Sequence, residues 1–64
     1  MVTRTEWAAI HRTNNTEWIN IMSIRGRREL TIDYTSSLIR SVPQWSRDNP
    51  ILRISQITIT EVAP

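Results

Sequence analysis

The side chains equipped for chemistry in this sequence are few and mostly of one kind. All eight basic residues are arginines, and three of them, Arg25, Arg27 and Arg28, crowd around the only glycine, Gly26, in the stretch SIRGRRELTI. The guanidinium is a planar fork that makes paired bonds to carboxylate or phosphate. The cluster therefore suits an acidic protein surface or a nucleic-acid backbone, and it equally suits a solvated turn kept charged against edge-to-edge aggregation. The rest of the catalytic inventory is thin. No cysteine is present, so thiolate nucleophiles and thiolate metal sites are excluded. His11 is the single histidine, with no second one to join in holding a metal, and reads as a surface or helix-end residue. Glu29 and Asp33 fit the polar side of an alternating strand better than a carboxylate pair. Ser36 and Ser37 fit a helix cap better than a nucleophile, and one glycine cannot make a phosphate loop. The residue types point to a protein that is not an enzyme and that uses no metal and no cofactor.

Three tryptophans remain to be placed. Trp18 and Trp45 fall where strand and helix patterns would bury them, and large aromatic area favours the core. Trp7 is the least constrained, either a lid on a sheet edge or an interface anchor, since tryptophan and arginine are enriched where binding energy concentrates. Arg25, Arg27, Arg28, Arg53 and Trp7 are the candidate partner-binding residues.

The elements that would position them follow from periodicity. Residues 1–15 read as an arm or a short helix, with Trp7 and Ile10 on one side and Asn14-Asn15 ending it. Residues 16–64 read as a single domain. EWINIMSI is a strand, RGRR a glycine-centred turn, and ELTIDY a second strand with Leu30, Ile32 and Tyr34 on one face. This predicts a hairpin over Trp18 to Tyr34 with the arginines at its tip. Leu38, Ile39, Val42 and Trp45 then recur at helical spacing. Pro43 predicts a short or kinked helix, and Asp48-Asn49-Pro50 ends it. ILRISQITITEV is a third strand whose alternation changes phase, which a bulge near Ser55-Gln56 would repair. The expected fold is α+β: a small three-stranded sheet packed on one helix in the order strand, strand, helix, strand, with a short N-terminal helix or arm. Trp45, Leu38, Ile32, Leu30 and Ile54 are its expected core. The third strand is expected beside the first, parallel to it, through a right-handed crossover.

Sixty-four residues with a net charge of +2 make one small, mildly basic domain. A core of this size contributes roughly 3–5 kcal/mol of net stability. No run approaches the ~18 apolar residues of a membrane span, and the N-terminus lacks a signal-peptide core. The expectation is a soluble, intracellular protein without a membrane partner.

The layout also resembles the small RNA polymerase inhibitor of T-odd podoviruses. The likeness is carried by EWINI in the first strand, TIDY closing the second, Trp45 at the helix end, Pro50 before the last strand, and VAP at residues 62–64. It is gapped and covers residues 17–64. The resemblance implies the strand-strand-helix-strand order and a phage-type protein working in the host cytoplasm. It also implies binding to a host complex, with bacterial RNA polymerase as candidate target. The family's last strand carries a pair of functional arginines, and Arg53 is the arginine of that strand here. Some anti-CRISPR proteins look like the same plan. Two function classes follow: a protein-binding inhibitor engaging an acidic host surface, and a small nucleic-acid-binding module or transcriptional regulator.

Overall fold

A computed structural model describes residues 2–62. Met1, Ala63 and Pro64, including the last two residues of the VAP tripeptide, lie outside the described residues. The chain forms β1 (Thr3–Thr13), β2 (Thr16–Arg25), α1 (Arg28–Ser41), α2 (Pro43–Asp48) and β3 (Ile51–Thr60). The three strands make one antiparallel sheet in the order β2-β1-β3. The α+β class and the strand-strand-helix-strand order are those expected, and the strand read over EWINIMSI is β2, but its hairpin partner is residues 3–13 and not ELTIDY.

β1 begins the sheet and occupies its centre, so residues 3–13 form neither a helix nor an arm. Thr3, Thr5, Trp7, Ile10 and Thr13 are β-formers, and the spacing of Trp7 and Ile10 that suggested a helical face is overridden by pairing on both sides of the strand. Asn14 and Asn15 hold φ of 50° and 66°, and they join Thr13 to its ladder partner Thr16. This is the left-handed two-residue turn that Asn tolerates and that matches strand twist. Gly26 does not take positive φ and turns no hairpin.

The segment ELTIDY is the first half of α1, so the hairpin expected over Trp18 to Tyr34 does not form. Its inward positions are threonines. Thr31 and Thr35, one turn apart, are buried, while Leu30 and Ile39 are exposed. The helix stops at Val42 because Pro43 cannot continue it; Pro43 instead opens α2 from N1, where its missing N–H costs nothing. That break agrees with the sequence expectation, as does the end of the helical segment before Pro50.

β2 and β3 are each antiparallel to β1 and therefore parallel to each other, with β1 between them. The third strand is expected beside and parallel to EWINIMSI; it runs parallel to that strand, β2, but does not pair with it, because β1 lies between them and pairs antiparallel with both. β3 carries its register shift between the pairs Ile10↔Arg53 and His11↔Ile51, which makes Leu52 the extra residue rather than Ser55 or Gln56.

The irregularity in β2 is larger. Trp7 pairs with Arg25 and Ala9 with Asn20, so β2 loops outward between them. There Ser23, fully buried, replaces the missing ladder. Its Oγ accepts from the Ala9 N–H at 2.8 Å and donates to the Asn20 carbonyl at 2.6 Å. The Thr31 hydroxyl faces the carbonyls of Trp7 (3.1 Å) and Ser23 (3.0 Å). The helix is seated on the sheet by hydroxyls at this point. The buried apolar residues are accordingly few, Ala8, Ala9 and Ile10, beside buried His11, Asn20, Ser23, Thr31 and Thr35. The expected core of Trp45, Leu38, Ile32, Leu30 and Ile54 is at best half-buried, and Leu30 and Trp45 are exposed at 43% and 39%.

Candidate functional site

The five candidate binding residues fall into separate places. Arg25 ends β2, and its Nη1 donates to the carbonyls of Met22 (2.9 Å) and Ile24 (2.8 Å). Its guanidinium carbon lies 5.1 Å from the Tyr34 ring centroid, a cation–π contact. Arg25 thus closes the outer side of the β2 bulge and is already engaged. Arg27 is the N-cap of α1 but makes no side-chain cap bond. It reaches Glu29 at 3.7 Å, with both side chains largely exposed, a pair worth little in water. Arg28, the first helical residue, is exposed. Trp7 is half-buried on β1 beside Arg25, on the face that the helix covers. Arg53 pairs with Ile10 and so projects from the opposite, open face, where its Nη1 meets Glu17 Oε1 at 2.8 Å. The structure brings Arg25, Arg27, Arg28 and Trp7 to the β2–α1 junction and leaves Arg53 on the other side of the sheet.

A second constellation escaped the sequence reading. His11 is 1% exposed. It is neither a surface nor a helix-end residue. Its ring stacks on Trp18, centroids 4.5 Å apart and 13° from parallel, and meets the edge of Trp45 at 5.5 Å. Trp18 and Trp45 meet edge to face at 6.1 Å. The polar partners fix the tautomer. A carbonyl can only accept, so Nδ1–H donates to the Asn49 carbonyl at 2.8 Å, and Nε2 accepts from Asn20 Nδ2 at 3.2 Å. Asn20 Oδ1 is oriented by the Met22 N–H at 3.1 Å, which assigns its amide consistently. Trp18 Nε1 donates to Thr13 Oγ1 at 3.0 Å, and Thr13 donates onward to Asn49 Oδ1. Both His11 nitrogens are occupied, so the ring positions the α2–β3 turn. The signal was present in Asn14-Asn15: counting outward from a two-residue turn puts His11 opposite Trp18.

Two depressions flank this cluster. A cavity of about 370 Å³ lies between His11, Ile39, Pro43, Ser46 and Ile51. A shallower groove of about 320 Å³ runs between Trp18, Met22, Tyr34, Leu38, Val42 and Trp45. Among the described residues no three His, Asp or Glu side chains converge as metal ligands. No helix is long and apolar enough to cross a membrane.

No family model, no curated protein and no solved structure matches this chain.

Proposed function

We propose that the chain is a non-enzymatic, phage-type protein that binds and inhibits a host protein complex in the host cytoplasm, bacterial RNA polymerase being the first candidate. Its contact surface is the β2–α1 junction, centred on Arg27 and Arg28. One observation carries this reading: two adjacent, exposed arginines stand at the start of a fourteen-residue helix with only a long surface pair to hold either of them. The N-terminal end of a helix carries the positive end of its dipole, so cations are poorly placed there for stability. An acidic surface would gain from the arginines and the dipole together. Trp7 lies close enough to add apolar area, while Arg25 supports the junction from within.

The test is transcription by purified bacterial RNA polymerase holoenzyme, titrated with wild type and with the Arg27→Gln/Arg28→Gln variant. Folding should be unchanged, as for most surface substitutions. Inhibition should weaken by roughly 2–5 kcal/mol if both charges are buried against carboxylates. Wild type that leaves transcription untouched removes polymerase as the target. The nucleic-acid reading forecasts binding to naked DNA or RNA, with log affinity falling against log salt at a slope of about −2 for two phosphate contacts. That result, without polymerase binding, would assign the arginines to phosphate.

A further inference from the structure

The sheet has two outer edges, and the chain protects only one. On β2 the bulge interrupts the ladder, Ser23 folds inward, and Arg25 covers the carbonyls of Met22 and Ile24. On β3 no such device is present among the described residues. The strand order gives β3 a neighbour on one side only. From Ile54 to Thr60 it contains no proline, no glycine and no charge, the features by which edges are normally blunted. Its one irregularity, at Leu52, precedes this stretch.

The directions of the free groups can be read from the ladder. The Glu61 N–H bonds to the Val2 carbonyl at 2.7 Å, so Glu61 and the odd-numbered residues before it direct their backbone groups to β1. In an antiparallel ladder these alternate with residues facing the other way. Ile54, Gln56, Thr58 and Thr60 therefore present their N–H and C=O groups outward.

We propose that a second copy of this chain docks on this edge, antiparallel about Ile57, doubling the three-stranded sheet. Three observations select a second copy. The first is self-complementary charge. With Ile57 facing Ile57, Thr58 faces Gln56, Ile59 faces Ser55, and Glu61 faces Arg53 of the second copy, so the two charges bounding the neutral stretch pair across the axis twice. Arg53 uses Nη1 for Glu17, and its other nitrogens reach the incoming carboxylate. The second is polarity of register: the outward-facing residues of one copy meet only those of the other, and each facing pair exchanges two bonds, about eight in all. The third is need. Among the described residues the folded chain buries only Ala8, Ala9 and Ile10 as an apolar core and leaves Leu52 of β3 exposed at 42%. Small domains of this kind are commonly completed by association. The twofold arrangement uses both copies of the open edge and leaves the guarded β2 edges outermost, so it closes as a dimer and does not grow into a fibre.

Sedimentation of the full chain from low micromolar to near-millimolar concentration should show a monomer–dimer equilibrium. Thr58→Pro removes an outward N–H without touching the β1 ladder and should raise the dissociation constant at least tenfold with an unchanged circular dichroism spectrum. Glu61→Arg should weaken the dimer roughly tenfold, and Arg53→Glu added to it should recover the loss. Because the chain has no cysteine, Ile57→Cys introduces a lone thiol. Facing residues at a non-hydrogen-bonded position lie ~4.5 Å apart, within disulfide reach, so Ile57→Cys should cross-link on mild oxidation and Ile59→Cys should not. A monomer at every concentration overturns the proposal. So does a dimer in which Ile59→Cys cross-links as fast as Ile57→Cys; this comparison decides even if Thr58→Pro fails to fold.

Discussion

Removing one oxygen atom from Ser23 should cost this protein most of its stability. Ser23 is fully buried, and its Oγ is acceptor for the Ala9 N–H and donor to the Asn20 carbonyl. Ala9 is itself fully buried, and its N–H reaches the carbonyl of its ladder partner Asn20 through the Ser23 hydroxyl. In Ser23→Ala that donor is left without a partner at a cost of about 1–3 kcal/mol, and the Asn20 carbonyl loses a bond worth about 1 kcal/mol. The sum, about 2–4 kcal/mol, stands against a net stability of roughly 3–5 kcal/mol for a core of this size. Urea unfolding followed by circular dichroism should show the midpoint falling toward zero denaturant. Hydrogen exchange should show the Ala9 amide losing protection before its neighbours. Ser55→Ala, which removes only an exposed 3.3 Å bond to Gln56, should stay within about 0.5 kcal/mol of wild type. If Ser23→Ala is equally silent, or the Ala9 amide stays protected, the bulge is not held by this hydroxyl and the account of β2 fails.

Thr31→Val keeps the shape of the side chain but removes the donor to the Trp7 and Ser23 carbonyls, and should cost about 1–2 kcal/mol by the same unfolding assay. Trp45→Ala should cost about 1–3 kcal/mol, below the ~3–5 kcal/mol of a fully buried tryptophan, because Trp45 is 39% exposed; Trp18 fluorescence should change as its edge contact is lost. At the β1–β2 turn, Asn15→Gly should raise stability by about 0.5 kcal/mol and Asn15→Val should lower it by ~1–2 kcal/mol, since φ of 66° suits glycine and opposes a β-branched residue. Thermal unfolding of the pair would check the sign of both.

What could be read from the sequence was set by where apolar spacing and burial coincide. β3 and the break at Pro43 were legible because each rests on a strong local rule: a long run of β-branched residues, and a ring that ends helices. EWINIMSI was legible as β2, but its partner strand was not, for two reasons. In β1, Ala8 and Ala9 are fully buried in the central strand, flanked by β2 and β3, and the helical spacing of Trp7 and Ile10 reports nothing about that setting. In α1, the alternation of Leu30, Ile32 and Tyr34 suggested a strand, whereas the helix turns Thr31 and Thr35 inward to serve the bulge. A polar seam reverses the pattern on which amphipathicity arguments depend. The arginine group survives at the β2–α1 junction, but with Arg25 drawn into structure and Arg53 on the far face. His11 was misjudged because its partners Asn49 and Trp45 are distant in sequence and only the sheet assembles them.

The central position of β1 bears on how the molecule comes into being. Of the three strands, the one made earliest must be flanked on both sides, and one flank is the one made latest: Thr3 pairs with Thr60. At ~5–20 residues per second of synthesis, β1 waits several seconds for β3. Until then it has only β2 beside it, and a lone two-stranded hairpin is marginal in water. The anchors of His11 and Thr13 on Asn49 are equally late, since they too span most of the chain. Folding of this sheet therefore waits for β3, is dominated by distant contacts and is slow for a fold of this size, and the growing polypeptide carries its future central strand exposed until then.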